Sequence, residues 1–123
     1  MKLGTLMASI AVVALIQLPT TANAFECPKH FAAAQAAIDK VVKDMKGEMS
    51  KKMKAAGMAA DMALVHALLD DAKMMLAGAK HNHAKPQGKY DHGRAIAKAD
   101  TALASATAAD IFHFKLMAKM PMK

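Results

Sequence analysis

Apolar residues recur every three or four positions from residue 28 to residue 118, and no stretch alternates with the period of two that a half-buried strand shows. Alanine, the strongest helix former, is abundant throughout this region. Breaks fall at Cys27-Pro28, near Gly57 and at residues 85–88, where proline and glycine favour helix starts and loops. The pattern therefore predicts three helices.

The predicted helices span about Pro28–Ala55, Ala59–His83 and Tyr90–Ala118. The apolar stripe of the first helix comprises Phe31, Ala34, Ile38, Val41, Val42, Met45 and Met49. The stripe of the second comprises Met62, Val65, Leu68, Leu69, Ala72, Leu76 and Ala79. The stripe of the third comprises His92, Ile96, Ala99, Leu103, Thr107, Ile111, Phe114 and Met117. Short connections make successive helices antiparallel neighbours. The predicted fold class is thus all-α, an up-down-up three-helix antiparallel bundle rich in Ala and Met.

The first segment, Met1–Ala24, has the features of an export signal. Lys2 supplies a positive charge, an apolar run follows over Leu6–Ile16, and Ala22-Asn23-Ala24 forms an A-x-A cleavage site. The run is shorter than the ~20 residues that span a bilayer, which disfavours the alternative of an uncleaved membrane anchor. We expect residues 25–123 to form a single domain with a short Met-rich tail, located in the periplasm or secreted, without a transmembrane anchor.

Composition excludes several classes of protein. One Cys, four Phe, one Tyr and no Trp do not fit a multi-disulfide scaffold or a Trp-centred β-sandwich. The 17 Lys+Arg against 10 Asp+Glu give a formal charge of +7, but Arg94 is the only arginine and aromatic residues are few, which argues against nucleic-acid binding. No haem-attachment motif, phosphate loop or Glu-x-x-His motif occurs. We therefore predict a non-enzymatic protein.

Five candidate metal ligands gather near one end of the predicted bundle. The helix order places the start of the first helix beside the end of the second and the start of the third. The ligands at this end are Cys27, His30, His81, His83 and His92. Imidazoles with a thiolate suit Cu(II), Zn(II) or Ni(II). The competing interpretation makes His81 and His83 solvated loop residues and His92 an ordinary helix-start residue.

A second group lies toward the other end, roughly 31 Å away at the helical rise between His92 and His113. Its members are Met45, Met49, Met53, Met58, Met62, His66, His113, Met117, Met120 and Met122. Thioether sulfur selects Cu(I). Methionine is also a flexible core filler, and rows at helical spacing are more often core packing than a metal site. Met53, Met58, Met120 and Met122 fit core packing less well, because they lie at a turn or in the tail.

The segment from Leu68-Leu69-Asp70-Asp71-Ala72-Lys73 through His92, with the Ala-rich run that follows, resembles the small histidine-bearing helical metal-binding proteins of the bacterial periplasm (SmbP-like). The resemblance covers roughly residues 59–110 and implies a compact antiparallel bundle that binds divalent ions and buffers metal. The chain departs from that family in having fewer His, no seven-residue His spacing and many more Met.

Together these features predict periplasmic metal binding, with copper as the favoured ion and zinc or nickel as alternatives, for sequestration or hand-over. The alternative is a structural or interaction protein. In that case a Met-rich face binds a protein partner, or Cys27 links a homodimer through a disulfide.

Overall fold

A computed structural model describes residues 20–120, with side chains from residue 26 onward. Four helices follow one another, namely α1 (Thr20–Lys46), α2 (Glu48–Ala55), α3 (Ala59–Ala84) and α4 (Asp91–Ala118). No strand occurs in this part of the chain, which confirms the all-α class. None of the helices found there is long and apolar enough to cross a membrane. Residues 1–19 of the predicted signal peptide, and Met122 in the tail, lie outside the described residues.

The predicted count of three helices is wrong, because the first one breaks at Gly47. This residue has an extended backbone (φ −72°, ψ 167°) and directly precedes α2. The Asp44 carbonyl, near the end of α1, accepts hydrogen bonds from the Gly47 N–H (3.2 Å) and from the Ser50 hydroxyl (3.2 Å). The Asp44 carbonyl thus accepts hydrogen bonds other than the regular i to i+4 bond of a helix, and the chain changes direction there. A single glycine within otherwise helical spacing gave no sequence signal for this break.

The turn after α2 depends on Gly57, which has a φ of +82°. The Met58 N–H bonds to the Met53 carbonyl (3.1 Å) across this turn, the pattern of a Schellman helix end. Glycine adopts a positive φ without the steric penalty of a side chain. The predicted break near Gly57 is therefore confirmed, and α3 starts directly after it.

Contacts along the three long helices show that they alternate in direction. His30 pairs with Asp100 and Lys40 with Asp110, so α1 and α4 run parallel. The Asn82 side chain accepts a hydrogen bond from Lys98 (2.8 Å), so α3 runs antiparallel to α4. The part of α1 around Cys27 and His30, the end of α3 and the start of α4 therefore meet at one end of the bundle, as the sequence predicted. The predicted start of the first helix at Pro28 is wrong, because α1 begins at Thr20 and contains Pro28.

Alanine forms much of the core. The buried hydrophobic residues grouped in it are Ala34, Ile38, Val41, Met53, Met62, Val65, Leu69, Ala72, Leu76, Ala102, Ala106, Ala109 and Leu116. Small side chains let helix backbones approach closely, so α4 can pack against both α1 and α3.

The predicted inward face of α4 is wrong for three of its eight residues. The buried residues of α4 are Asp91, Ala95, Ala99, Ala102, Ala106, Ala109, His113 and Leu116. Thr107, Ile111 and Phe114, placed inside by the sequence pattern, are exposed, and Phe114 is 66% exposed. The spacing of apolar residues along α4 is compatible with burial of either face. The close packing with two neighbouring helices favoured the face with the smaller residues.

Candidate metal centre

Three potential metal ligands from three different helices converge at one end of the bundle. Cys27 lies in α1, His83 in the last turn of α3 and His92 in the first turn of α4. One ligand atom of each lies within 4.8 Å of the others. Cys27 is fully buried and the two histidines are half-buried. Residues 26–120 hold no other group of three His, Cys, Asp or Glu side chains this close.

The loop between α3 and α4 positions the two histidines. Asp91, at the start of α4, is buried, and its carboxylate accepts the backbone N–H groups of Gln87 (2.5 Å) and Gly88 (3.0 Å). Arg94, one turn later, also donates to this carboxylate (2.8 Å). These bonds hold the pKa of Asp91 below its usual value, the backbone of Gln87 contributing most. The charged carboxylate therefore fixes the loop that brings His83 next to His92.

Ring packing supports the site from inside the bundle. The rings of His83 and His92 meet edge to face with centroids 5.3 Å apart. The ring of Phe31, one turn after Cys27 on α1, packs edge-on against His83 at 5.5 Å. Phe31 therefore covers one side of His83 with an apolar ring, and His83 in turn packs against His92.

The Nδ1 atoms of both His83 and His92 are buried without a hydrogen-bond partner in the part of the chain that the structure describes. A buried polar atom normally has a partner, because leaving it without one costs roughly 1–3 kcal/mol. Two such atoms, on the imidazoles that cluster with the Cys27 sulfur, indicate that this end of the bundle is suited to a ligand.

The thiol of Cys27 is in a partly apolar environment. Burial raises the pKa of Cys27, and the nearby Glu26 acts in the same direction, whereas a backbone hydrogen bond lowers it. The sulfur also lies 3.7 Å from the His92 carbonyl oxygen, to which the thiol donates. The neutral thiol is therefore the stable form in this structure, and a metal ion would have to displace its proton.

Two of the five predicted ligands at this end lie outside the cluster. His81 is exposed and lines a cleft with Asn82, Lys85 and Arg94. Side chains two residues apart on a helix point in very different directions, so the side chain of His81 points away from that of His83. The Nδ1 atom of His30 bonds to Asp100 instead (2.5 Å).

The methionine group is mostly packed in the core. Met53 and Met62 are buried there, and the partly buried members packed against it are Met45, Met58, Met117 and Met120. Met49 and His66 are exposed. His113 is buried, with Nε2 2.9 Å from the Ser50 hydroxyl. The packing interpretation therefore explains most of these residues without a metal.

Sequence reasoning found the three clustered ligands but missed what supports them. Asp91 was not among the predicted residues, although an acidic residue in the first turn of a helix is a typical stabilising feature of a helix start. The contact between Phe31 and His83 joins residues distant in sequence and left no local signal.

Comparison with protein families, with curated proteins and with solved structures found no match. The resemblance to periplasmic histidine-bearing metal-binding proteins therefore stays a prediction, and the functional argument depends on the cluster itself.

Proposed function

We propose that this chain is a non-enzymatic metal-binding protein that holds one transition-metal ion between Cys27, His83 and His92. The observation that carries the proposal is the convergence of three ligand atoms within 4.8 Å, two of them on imidazoles whose Nδ1 atoms are buried without a partner. The role would be sequestration or hand-over of the ion in the periplasm, where the predicted signal peptide would direct the chain.

The spacing of the ligands suits a metal after a small rearrangement. Metal–nitrogen bonds of about 2.0 Å and metal–sulfur bonds of about 2.3 Å place tetrahedral ligands roughly 3.3–3.8 Å apart. The present separations of up to 4.8 Å require side-chain shifts of no more than about 1.5 Å. His83 lies in the last turn of its helix, where such shifts disturb few backbone hydrogen bonds.

The donor set favours copper or zinc over hard ions. A thiolate with two imidazoles is the trigonal set found with copper, and it also leaves the open fourth position of a zinc site. Cysteine and imidazole do not select magnesium or calcium, which take oxygen ligands. We favour copper, because the soft thiolate can hold Cu(I) and the imidazoles can hold Cu(II).

The interaction-protein alternative receives less support. Cys27 is fully buried, so its sulfur is poorly placed for a disulfide to a second chain. The methionines that would form a pliable binding face mostly pack against the core. A non-reducing gel tests this alternative directly, since a disulfide-linked dimer would disappear on reduction.

The metal proposal is tested by competitive titration of the protein, as recovered after expression with its own N-terminal segment, with Cu(I), Cu(II), Zn(II) and Ni(II). We expect saturation at one equivalent for at least one ion. His83→Gln and His92→Gln should each weaken binding by at least about 100-fold, since even changes in residues that only support metal ligands cost 10–100-fold.

His81→Gln is the matched control, because His81 lies two residues from His83 on the same helix but outside the cluster. It should leave affinity unchanged. If all three histidine variants bind as tightly as the parent chain, or if His81→Gln weakens binding equally, the cluster is not the site.

A further inference from the structure

The end of α4 exposes its largest apolar side chains. Ile111 is 49% exposed, Phe112 41% and Phe114 66%, whereas the inward positions of the same helix are mainly alanine. A phenylalanine side chain gains considerable free energy from leaving water. Several large exposed apolar residues within one turn of a helix are typical of interaction sites on soluble proteins.

Lysines outnumber acidic residues in the segments that carry and adjoin these apolar residues, and Asp110, directly before Ile111, is paired with Lys40. Ser50 of α2 bonds to His113, which stands between the two phenylalanines, so α2 lies beside this end of α4. Segments 46–55 and 111–120 contain six lysines and one acidic residue, Glu48. The six are Lys46, Lys51, Lys52, Lys54, Lys115 and Lys119.

One of these lysines lies beside one of the aromatic rings. The Lys115 ammonium lies 5.9 Å from the ring centroid of Phe112. Apart from Lys51, which pairs with Glu48 (2.6 Å), the described ion pairs do not involve the lysines of these two segments. Their charges are therefore available to an anionic partner.

We propose that this surface, formed by Ile111, Phe112 and Phe114 with the lysines of these two segments, binds the headgroup region of an anionic lipid membrane. Phenylalanines flanked by lysines are the residues with which helices lie in a membrane interface, where the rings enter the boundary and the ammonium groups remain among anionic headgroups. The surface lies at the end of the bundle opposite to His92, and binding through it requires no metal ion.

The geometry favours a lipid surface over a second copy of the chain. A symmetric dimer through this face would bring the same lysines toward one another, and like charges at close range oppose association. Ile111 and Phe114 share one face of α4, whereas Phe112 lies on its flank. Rings that diverge around a helix suit a fluid interface better than a fixed protein groove.

The test is sedimentation with vesicles of phosphatidylglycerol and phosphatidylcholine in equal parts, and with vesicles of phosphatidylcholine alone. The protein is used as recovered after expression, and the parent and all variants are confirmed by mass spectrometry to share one N-terminus. We expect binding to the anionic vesicles to exceed binding to the neutral ones, and to fall with added salt.

Replacing both aromatic rings (Phe112→Ser/Phe114→Ser) should weaken partitioning roughly tenfold or more. Lys115→Gln/Lys119→Gln should weaken partitioning roughly tenfold to thirtyfold, because each lysine near an anionic surface strengthens binding about fivefold. The matched controls are Met74→Ser, which removes an apolar side chain 61% exposed on α3, and Lys85→Gln/Lys89→Gln at the opposite end.

Equal binding to neutral and anionic vesicles would overturn the proposal, as would controls that lose as much binding as the α4 variants. Light scattering without vesicles measures whether the protein associates with itself. Self-association that depends on Phe112 and Phe114, with no vesicle binding, would identify the surface as an interface between copies of the chain.

Discussion

Ser50 and His113, which are 63 residues apart in the sequence, share a buried hydrogen bond of 2.9 Å that links α2 to α4. The Ser50 hydroxyl also donates to the Asp44 carbonyl at the end of α1, so its oxygen accepts from the imidazole N–H. One hydroxyl thus connects three helices at the break that the sequence did not predict. Without it, the imidazole nitrogen would be buried without a partner.

Ser50→Ala should therefore lower the free energy of unfolding by about 1–3 kcal/mol, the usual cost of leaving a buried polar group unsatisfied. Urea denaturation followed by circular dichroism measures the change. Ser105→Ala, at a half-buried position in the middle of α4, is the control and should cost much less. Equal losses in the two variants would contradict the role assigned to Ser50.

Two glycines should respond oppositely to alanine. Gly57→Ala forces a side chain into a φ of +82° and should destabilise the fold by roughly 1–2 kcal/mol. Gly93→Ala lies within α4, and an added Cβ meets no atom within 4 Å, so it should stabilise by roughly 0.5–1 kcal/mol. Midpoints of thermal unfolding that shift in the same direction would contradict this prediction.

The alanine face of α4 should resist enlargement. Ala106 is fully buried between helices, so Ala106→Leu should cost about 1–3 kcal/mol by overpacking. Ala104→Leu, on the exposed face of the same helix, should change stability by less than about 0.5 kcal/mol. Chemical denaturation measures the free energy of unfolding of both variants. A larger loss of stability for Ala104→Leu than for Ala106→Leu would mean that the inward face is misassigned.

Lys40 joins α1 to α4 through Asp110 (2.5 Å) and also contacts Asp44 (3.1 Å). These hydrogen bonds raise the pKa of Lys40, the one to Asp110 contributing more. A raised pKa gives stabilisation that is fully present below the lysine pKa of the unfolded chain and is lost as pH rises through the folded-state value.

Lys40→Met should thus destabilise at pH 7 by less than about 1 kcal/mol, because the pair is largely exposed. The difference from the parent chain should diminish as the pH rises past about 10.4, the usual pKa of a lysine. Urea midpoints measured from pH 7 to pH 11 test this. Lys73→Met is the control, since Lys73 pairs only within α3, with Asp70 at 3.5 Å; a larger effect there would count against the interhelical role of Lys40.

Metal binding at the proposed centre should stabilise the fold, because its ligands come from α1, α3 and α4. An ion present at 100 times its dissociation constant adds about 2.7 kcal/mol to the free energy of unfolding. Thermal unfolding with and without the ion, and after chelation, measures this gain. His83→Gln should abolish it and His81→Gln should retain it; a gain that survives in His83→Gln would place the ion elsewhere.

The sequence alone determined the helical class, the bounds of α3 and α4 to within a residue or two, and the end of the bundle at which Cys27, His83 and His92 gather. These features follow from local periodicity, from loop residues and from the short connections that force neighbouring helices to alternate in direction. Each depends on interactions between residues close in sequence.

Tertiary packing alone decided which of the candidate ligands share a site and which face of α4 turns inward. Helical geometry lets only one of His81 and His83 face the neighbouring helices, and the packing of α3 against α1 and α4 turns His83 toward Phe31 and His92. Alanine rather than Ile111 and Phe114 fills the core, since α4 packs closely against two helices at once and large side chains would hold them apart. Contacts between residues distant in sequence set these choices.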